Sequence, residues 1–210
     1  LDEMNCTFES NIVEIINPVE PRGMLVTTAN LTCLSDAELE LSATGGTAPY
    51  LWSLDGITFN PMNETNASNT HLFTNVTAGN YQYFIQDSFN CVSTLSNEIT
   101  LSPIEPLVLD VDTSAATINC NGDSTALIIA NADGGLGNYQ YGLFSDLGLI
   151  NEIRPYQASG VFADLPQGSY YVSLTSDDCQ IISDVITIIE PDALQVTPTI
   201  TDISCSGADD

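Results

Sequence analysis

Short runs of alternating apolar and polar residues dominate the chain, and helix-period patterns are nearly absent. Residues 38–42, 50–54, 81–85 and 98–101 each alternate with period two, as expected of half-buried strands whose side chains point to opposite faces. Clusters of Gly, Pro, Asn and Asp separate these runs. The result is about seven short strands between successive repeats of the same pattern. This predicts an all-β chain of immunoglobulin-like β-sandwiches.

The pattern recurs at the level of whole domains. Val19-Glu20-Pro21, Ile104-Glu105-Pro106 and Ile189-Glu190-Pro191 place Glu20, Glu105 and Glu190 at steps of 85 residues. Gly45-Gly46-Thr47-Ala48-Pro49-Tyr50 matches Gly134-Gly135-Leu136-Gly137-Asn138-Tyr139, and Phe73 to Tyr81 matches Phe162 to Tyr170 without a gap. Such a period is domain-sized, too long for a solenoid unit. Residues 1–20 are therefore read as the last strand of a preceding repeat, 21–105 and 106–190 as two complete Ig-like repeats, and 191–210 as the first strand of a following one. The proline-containing segments 102–106 and 188–192 read as short, stiff linkers, giving tandem domains in a head-to-tail rod. Gly79-Asn80-Tyr81 and Gly168-Ser169-Tyr170 fit a tyrosine corner. Trp52 is expected in the core between the sheets, with Tyr141 at the aligned position.

Charge narrows the partners. Against 28 acidic residues stand only Arg22 and Arg154, for a formal net charge of −26. Nucleic acid and anionic membranes both need clustered Lys and Arg, so both are excluded as partners. A hydrophobic content of 43% is that of a folded protein and excludes a disordered acidic tail. The surface repels itself, which makes salt or bound cations expected companions. Six cysteines recur in register, Cys6, Cys91 and Cys179 in one set and Cys33, Cys120 and Cys205 in the other. None has Cys-x-x-Cys spacing, so disulfides in an oxidising, extracellular setting are expected rather than zinc. No apolar run reaches the ~20 residues that span a bilayer. Export and anchoring signals are expected outside this stretch.

These motifs together carry a family resemblance. Asn119-Cys120-Asn121-Gly122-Asp123, then Gly134-Gly135, Gly168-Ser169-Tyr170, Asp177-Asp178-Cys179 and Ile189-Glu190-Pro191 resemble, in order and spacing, the SprB-type repeat. That repeat occurs in giant cell-surface adhesins of gliding Bacteroidota and in related secreted filament proteins. The first repeat departs from the pattern, with Cys33-Leu34-Ser35-Asp36 in place of Cys-Asn-Gly-Asp. The resemblance implies export by the type IX route and a role in surface attachment, gliding or prey capture. Asp123-Ser124-Thr125 resembles the O-glycosylation motif of the same bacteria.

Cysteine connectivity has more than one solution. Within one sandwich, the cysteine before the second strand and the one after the sixth lie at opposite ends, roughly 25 Å apart for eight residues. A disulfide needs Cα atoms within about 7 Å. Head-to-tail stacking would instead pair Cys33 with Cys179, leaving the other four for repeats outside the stretch. The intradomain pairs, Cys33 with Cys91 and Cys120 with Cys179, stay open, as do bonds between chains. Glu105, Asp133, Asp177 and Asp178 are expected near the boundary of the two repeats, where they could supply oxygens to calcium; in a chain this acidic, some clustering arises by composition.

No catalytic constellation emerges, and the chain is not read as an enzyme. His71, in a polar Asn and Thr stretch, reads as an exposed loop residue, with no nucleophile motif, phosphate loop or metal-binding His pair nearby. Sequons at Asn5, Asn30, Asn63, Asn66 and Asn75 follow from composition. The sequence thus points to a stalk or filament segment of a secreted adhesin, whose partners are neighbouring repeats and identical chains. The alternative is a multivalent module whose loops bind glycan or protein. Phe59 and Tyr156 are its exposed aromatic candidates, and neither recurs in the other repeat.

Overall fold

The computed structural model describes residues 17–63 and 68–199, which form strands and turns and contain no helix. The expected partial strands at 1–20 and 191–210 fall largely outside the described residues. Two compact units emerge. The first holds the described residues up to Leu31 together with Ser35–Pro103; the second holds Ile104 onward and, in addition, Thr32–Leu34.

In the first unit, β1 (Arg22–Ala29), β2 (Ala37–Thr44) and β5 (Thr70–Val76) form one antiparallel sheet in the order β1-β2-β5. Alternation along β2 buries Ala37, Leu39, Leu41 and Ala43, as the period-two pattern requires. A second sheet runs β4-β3-β7, from β3 (Leu51–Ser53), β4 (Asn60–Pro61) and β7 (Phe84–Gln86), and β6 (Gly79–Tyr81) pairs with β8 (Ile99–Leu101). The run 81–85, expected as one strand, is thus split. Serine hydroxyls replace strand partners at the break: Tyr83 N donates to Ser96 Oγ at 3.1 Å and Ile85 N to Ser93 Oγ at 2.8 Å. Both serines are buried and return a backbone bond to the same residues.

The second unit repeats the plan with longer strands. One sheet is β13-β10-β9, from β9 (Glu105–Asp112), β10 (Ala126–Gly135) and β13 (Val161–Leu165). The other is β12-β11-β14-β15, with β16 also on β14, from β11 (Tyr139–Phe144), β12 (Glu152–Gln157), β14 (Gly168–Ser176), β15 (Cys179–Ile182) and β16 (Ile186–Ile188). This division of strands between two sheets is that of an Ig-like sandwich. Ile128, Leu143, Phe162, Leu165, Val172 and Leu174 fill the space between the sheets and are fully buried.

Both tyrosine corners form. Tyr81 Oη donates to Thr77 O and Tyr170 Oη to Pro166 O, each at 2.9 Å. Trp52 lies at the margin of the first core rather than at its centre, half-buried and edge-on to Phe73 and Tyr83. His71 corrects the sequence reading. It stands on β5, half-buried against the Trp52 and Phe73 rings, with Nδ1 2.6 Å from Met62 O. Ser68 and Asn69 lie just before the strand and Thr70 opens it, so the polarity of the stretch does not mark where the loop ends. One further expectation shifts: Glu105 and Pro106 open β9 instead of forming a linker, and Asp133 stands opposite that strand, within β10 and paired with Val108.

The turn after β3 shows how acidic side chains order loops here. Asp55 Oδ1 accepts the N–H of Thr58 and Ile57, both at 2.8 Å, and the Ser53 hydroxyl at 2.9 Å. These bonds favour the charged form and hold the Asp55 pKa at about 2, against an ordinary 3.8. The pKa is depressed by folding, so this carboxylate's contribution is complete above the unfolded value and disappears as pH falls through the folded one. A carbon-detected NMR titration should therefore place the Asp55 carboxyl midpoint at about 2. A midpoint at the ordinary value would show that the turn is not held this way.

Candidate functional site at Cys33 and Cys179

The second unit owes its extra segment to a covalent bond. Cys33, between β1 and β2, is joined to Cys179, the first residue of β15, with Cα atoms 5.2 Å apart and a sequence separation of 146. Cys179 follows the two-residue turn Asp177-Asp178 that links β14 to β15, in register with Ser176. Asp177 takes φ +52°, a conformation Asp tolerates, and its Oδ1 accepts a 3.3 Å bond from Asn138 Nδ2. The bond is seated by the neighbouring carboxylate: Asp178 accepts from the Thr32 side chain and, at 3.2 Å, from Cys33 N. The Thr32 bond, chiefly, holds the Asp178 carboxyl below its ordinary pKa, with the backbone N–H groups of Cys33 and Leu34 assisting against desolvation.

The intradomain alternative is not what the structure holds. Cys91 and Cys120 are free and exposed. Cys6 and Cys205 lie outside the described residues.

The four carboxylates named for calcium do not gather. Glu105 and Asp133 line one open pocket of about 270 Å³ with Pro106, Val108 and Gly134. Asp133 Oδ1 is occupied by Gly134 N at 2.8 Å. Asp177 and Asp178 are instead tied to Asn138 and to the disulfide segment. Among the described residues, the group of metal-capable side chains within 4.8 Å of one another is Cys33, Asp178 and Cys179, and its sulfurs are spent on the disulfide.

The Glu-Pro motif has a structural purpose that sequence reading did not assign. Glu190 Oε2 accepts Gly122 N at 2.7 Å and Oε1 accepts Gln167 Nε2 at 2.6 Å, while Asn121 Nδ2 donates to Pro191 O at 3.0 Å. The loop carrying Cys120 is thereby fastened to the chain that leaves β16. The recurrence of Glu at the repeat period was the available signal, but its partners lie 68 and 23 residues away. Tyr50 and Tyr139 were also missed. Their hydroxyls donate to Gly45 O at 2.6 Å and Gly134 O at 2.7 Å, bracing the same Gly-Gly turn in both repeats.

The first repeat carries, in sequence order, the cysteine before β2, the Gly-Gly turn and the aromatic third strand. Residues 25–59 match the SprB repeat. The SprB match falls on the repeat that departs from the Cys-Asn-Gly-Asp form, and it spans Cys33, Gly45, Gly46 and Trp52. No curated protein matches the chain. Solved structures similar to it include the N-terminal eight Ig domains of Down Syndrome Cell Adhesion Molecule, at TM-score 0.44 and 16% identity over 83% of this chain and 25% of that one. Sidekick-1 immunoglobulin domains 1–5 align at TM-score 0.41 and 15% identity, over 83% of this chain and 40% of that one. Fibronectin(III)-like modules of Clostridium thermocellum CbhA align at TM-score 0.34 and 15% identity, over 85% of this chain and all of that one. The chain thus spans a quarter of the first of these structures.

Proposed function

We propose that this chain is a segment of the stalk or filament of a secreted cell-surface adhesin, in which the domains supply length and mechanical continuity. The observation that carries the reading is the Cys33–Cys179 bond, which makes three residues of one repeat part of the next unit. Proline at the repeat boundaries and the absence of lysine from an acidic surface fit an extracellular spacer. The SprB match and the Ig-like sandwich support an adhesin-type extracellular module, structural or binding. Partners in this reading are neighbouring repeats and identical chains. Imaging the intact secreted protein by negative-stain electron microscopy should reveal an extended fibre; a compact particle would overturn the reading.

One observation favours a second reading, a multivalent binding module. Each repeat exposes two aliphatic side chains on an Asp-pinned turn, Leu54 and Ile57 beside Asp55, and Leu147 and Ile150 beside Asp146. Rigid apolar tips recurring along an array would gain strength through multivalency. The aromatic candidates add less: Phe59 is half-buried, and the Tyr156 hydroxyl is bonded to Ser173 Oγ at 2.7 Å.

A further inference from the structure

The internal symmetry equates Cys120 with Cys33 and Cys91 with Cys179, yet one pair is bonded and the other is free and exposed. We infer that Cys120 and Cys91 are the two complementary halves of a second disulfide of the same register, so that a second copy of this chain joins head to tail through Cys120 of one copy and Cys91 of the next. The inference rests on the stalk reading above and names its joint.

Three observations point to the pairing besides the symmetry. First, the loop with Cys120 is presented, held by Glu190 and Asn121 to the segment leaving β16. Residues 119–121 and 191–194 line an open pocket of about 400 Å³ beside that cysteine. Second, the turn with Cys91 is preformed. The Asp87 carboxylate accepts the N–H of Cys91 and Phe89, both at 2.9 Å, and of Thr47 at 3.2 Å, and Asn90 takes φ +65°. Third, the flanking residues match the seated bond in chemistry. Asn90 precedes Cys91 as Asp178 precedes Cys179, with an amide oxygen able to accept the same backbone N–H. Asn119 precedes Cys120 as Thr32 precedes Cys33, with a side-chain donor in the same place.

Closing the bond needs a two-electron oxidant, and a low-molecular-weight disulfide serves. The thiolate of one cysteine attacks that disulfide and expels one small thiol; the second thiolate then attacks the mixed disulfide and expels the other. Two protein thiols are oxidised, and one small disulfide is reduced to two thiols.

The test uses the full chain with Cys6 and Cys205 changed to serine, so that only the two cysteines in question are free. In a glutathione redox buffer the parent should give a ladder of disulfide-linked oligomers containing a Cys91–Cys120 crosslinked peptide. Adding Cys91→Ser or Cys120→Ser should leave each protein monomeric. Mixing these two variants should produce a heterodimer of two chains, in a yield about ten-fold above either alone or above the mixture in denaturant, because docking raises the effective concentration of the thiols. Dimers of a single variant at the same yield, a crosslink within one chain, or no gain over the denatured mixture would each overturn the pairing. Mapping Cys33–Cys179 intact in every variant excludes a folding failure. The stalk reading fails separately: a compact particle by imaging overturns it even if the crosslink forms, and a fibre without the crosslink overturns only the pairing.

Discussion

Pulled from its two ends, the oxidised chain is expected to extend about 500 Å less than the reduced chain. The bond between Cys33 and Cys179 removes a sequence separation of 146 from the load path, and an extended chain spans about 3.3–3.6 Å per residue. Strands β2 to β14 lie in that interval, so unfolding them cannot lengthen the oxidised molecule, and only β1, β15 and β16 stay in the load path. Reduction releases the loop and restores the missing length. In a loop-entropy model the same closure is worth roughly 5 kcal/mol to the folded state, before any strain. Single-molecule force spectroscopy with and without dithiothreitol measures the difference. Equal contour lengths under the two conditions would show that this pairing does not carry the chain. An array built in this way would tolerate transient unfolding under tension without growing longer.

The second large effect is expected at Gly134. Its φ is +73°, and an added Cβ would stand 2.0 Å from the carbonyl oxygen of Pro106, a backbone atom that cannot rotate away. The first repeat has the same construction, with Gly45 at φ +67° and a Cβ position 2.2 Å from Glu20 O. The Gly-Gly turn and the Glu-Pro motif, separated in sequence, are thus two sides of one backbone contact. Gly134→Ala combines positive-φ strain with overlap of hard atoms and should cost about 3 kcal/mol or more. Gly137→Ala separates the two effects. Its φ is +81°, but nothing lies within 4 Å of the added carbon, so only about 1–2 kcal/mol of conformational cost is expected. Urea denaturation of both variants checks the ranking, and equal losses would refute the contact explanation.

Much of the fold was legible because a sheet writes its geometry locally. Alternation along β2, the Gly-x-Tyr corners and the repeat period depend on residues adjacent in sequence or on exact recurrence. Less was legible where one residue's task is set by a distant one. His71 looks like a loop residue until Trp52 and Phe73 pack on its ring, and Trp52 looks central until the ring contacts place it at the margin. The run 81–85 reads as one strand because serines at 93 and 96, not its own residues, take over its hydrogen bonds.

Sequence by itself determined the all-β class, the tandem organisation, the acidic character and the two registers of cysteine, since each is a matter of period or composition. Tertiary structure decided which cysteines meet. It joined Cys33 to Cys179, separated Glu105 and Asp133 from Asp177 and Asp178, and gave Glu190 the loop of Cys120 to hold. The reason is physical: a disulfide or a carboxylate contact requires atoms within a few ångströms, and a sequence position states only how far apart two residues are along the chain.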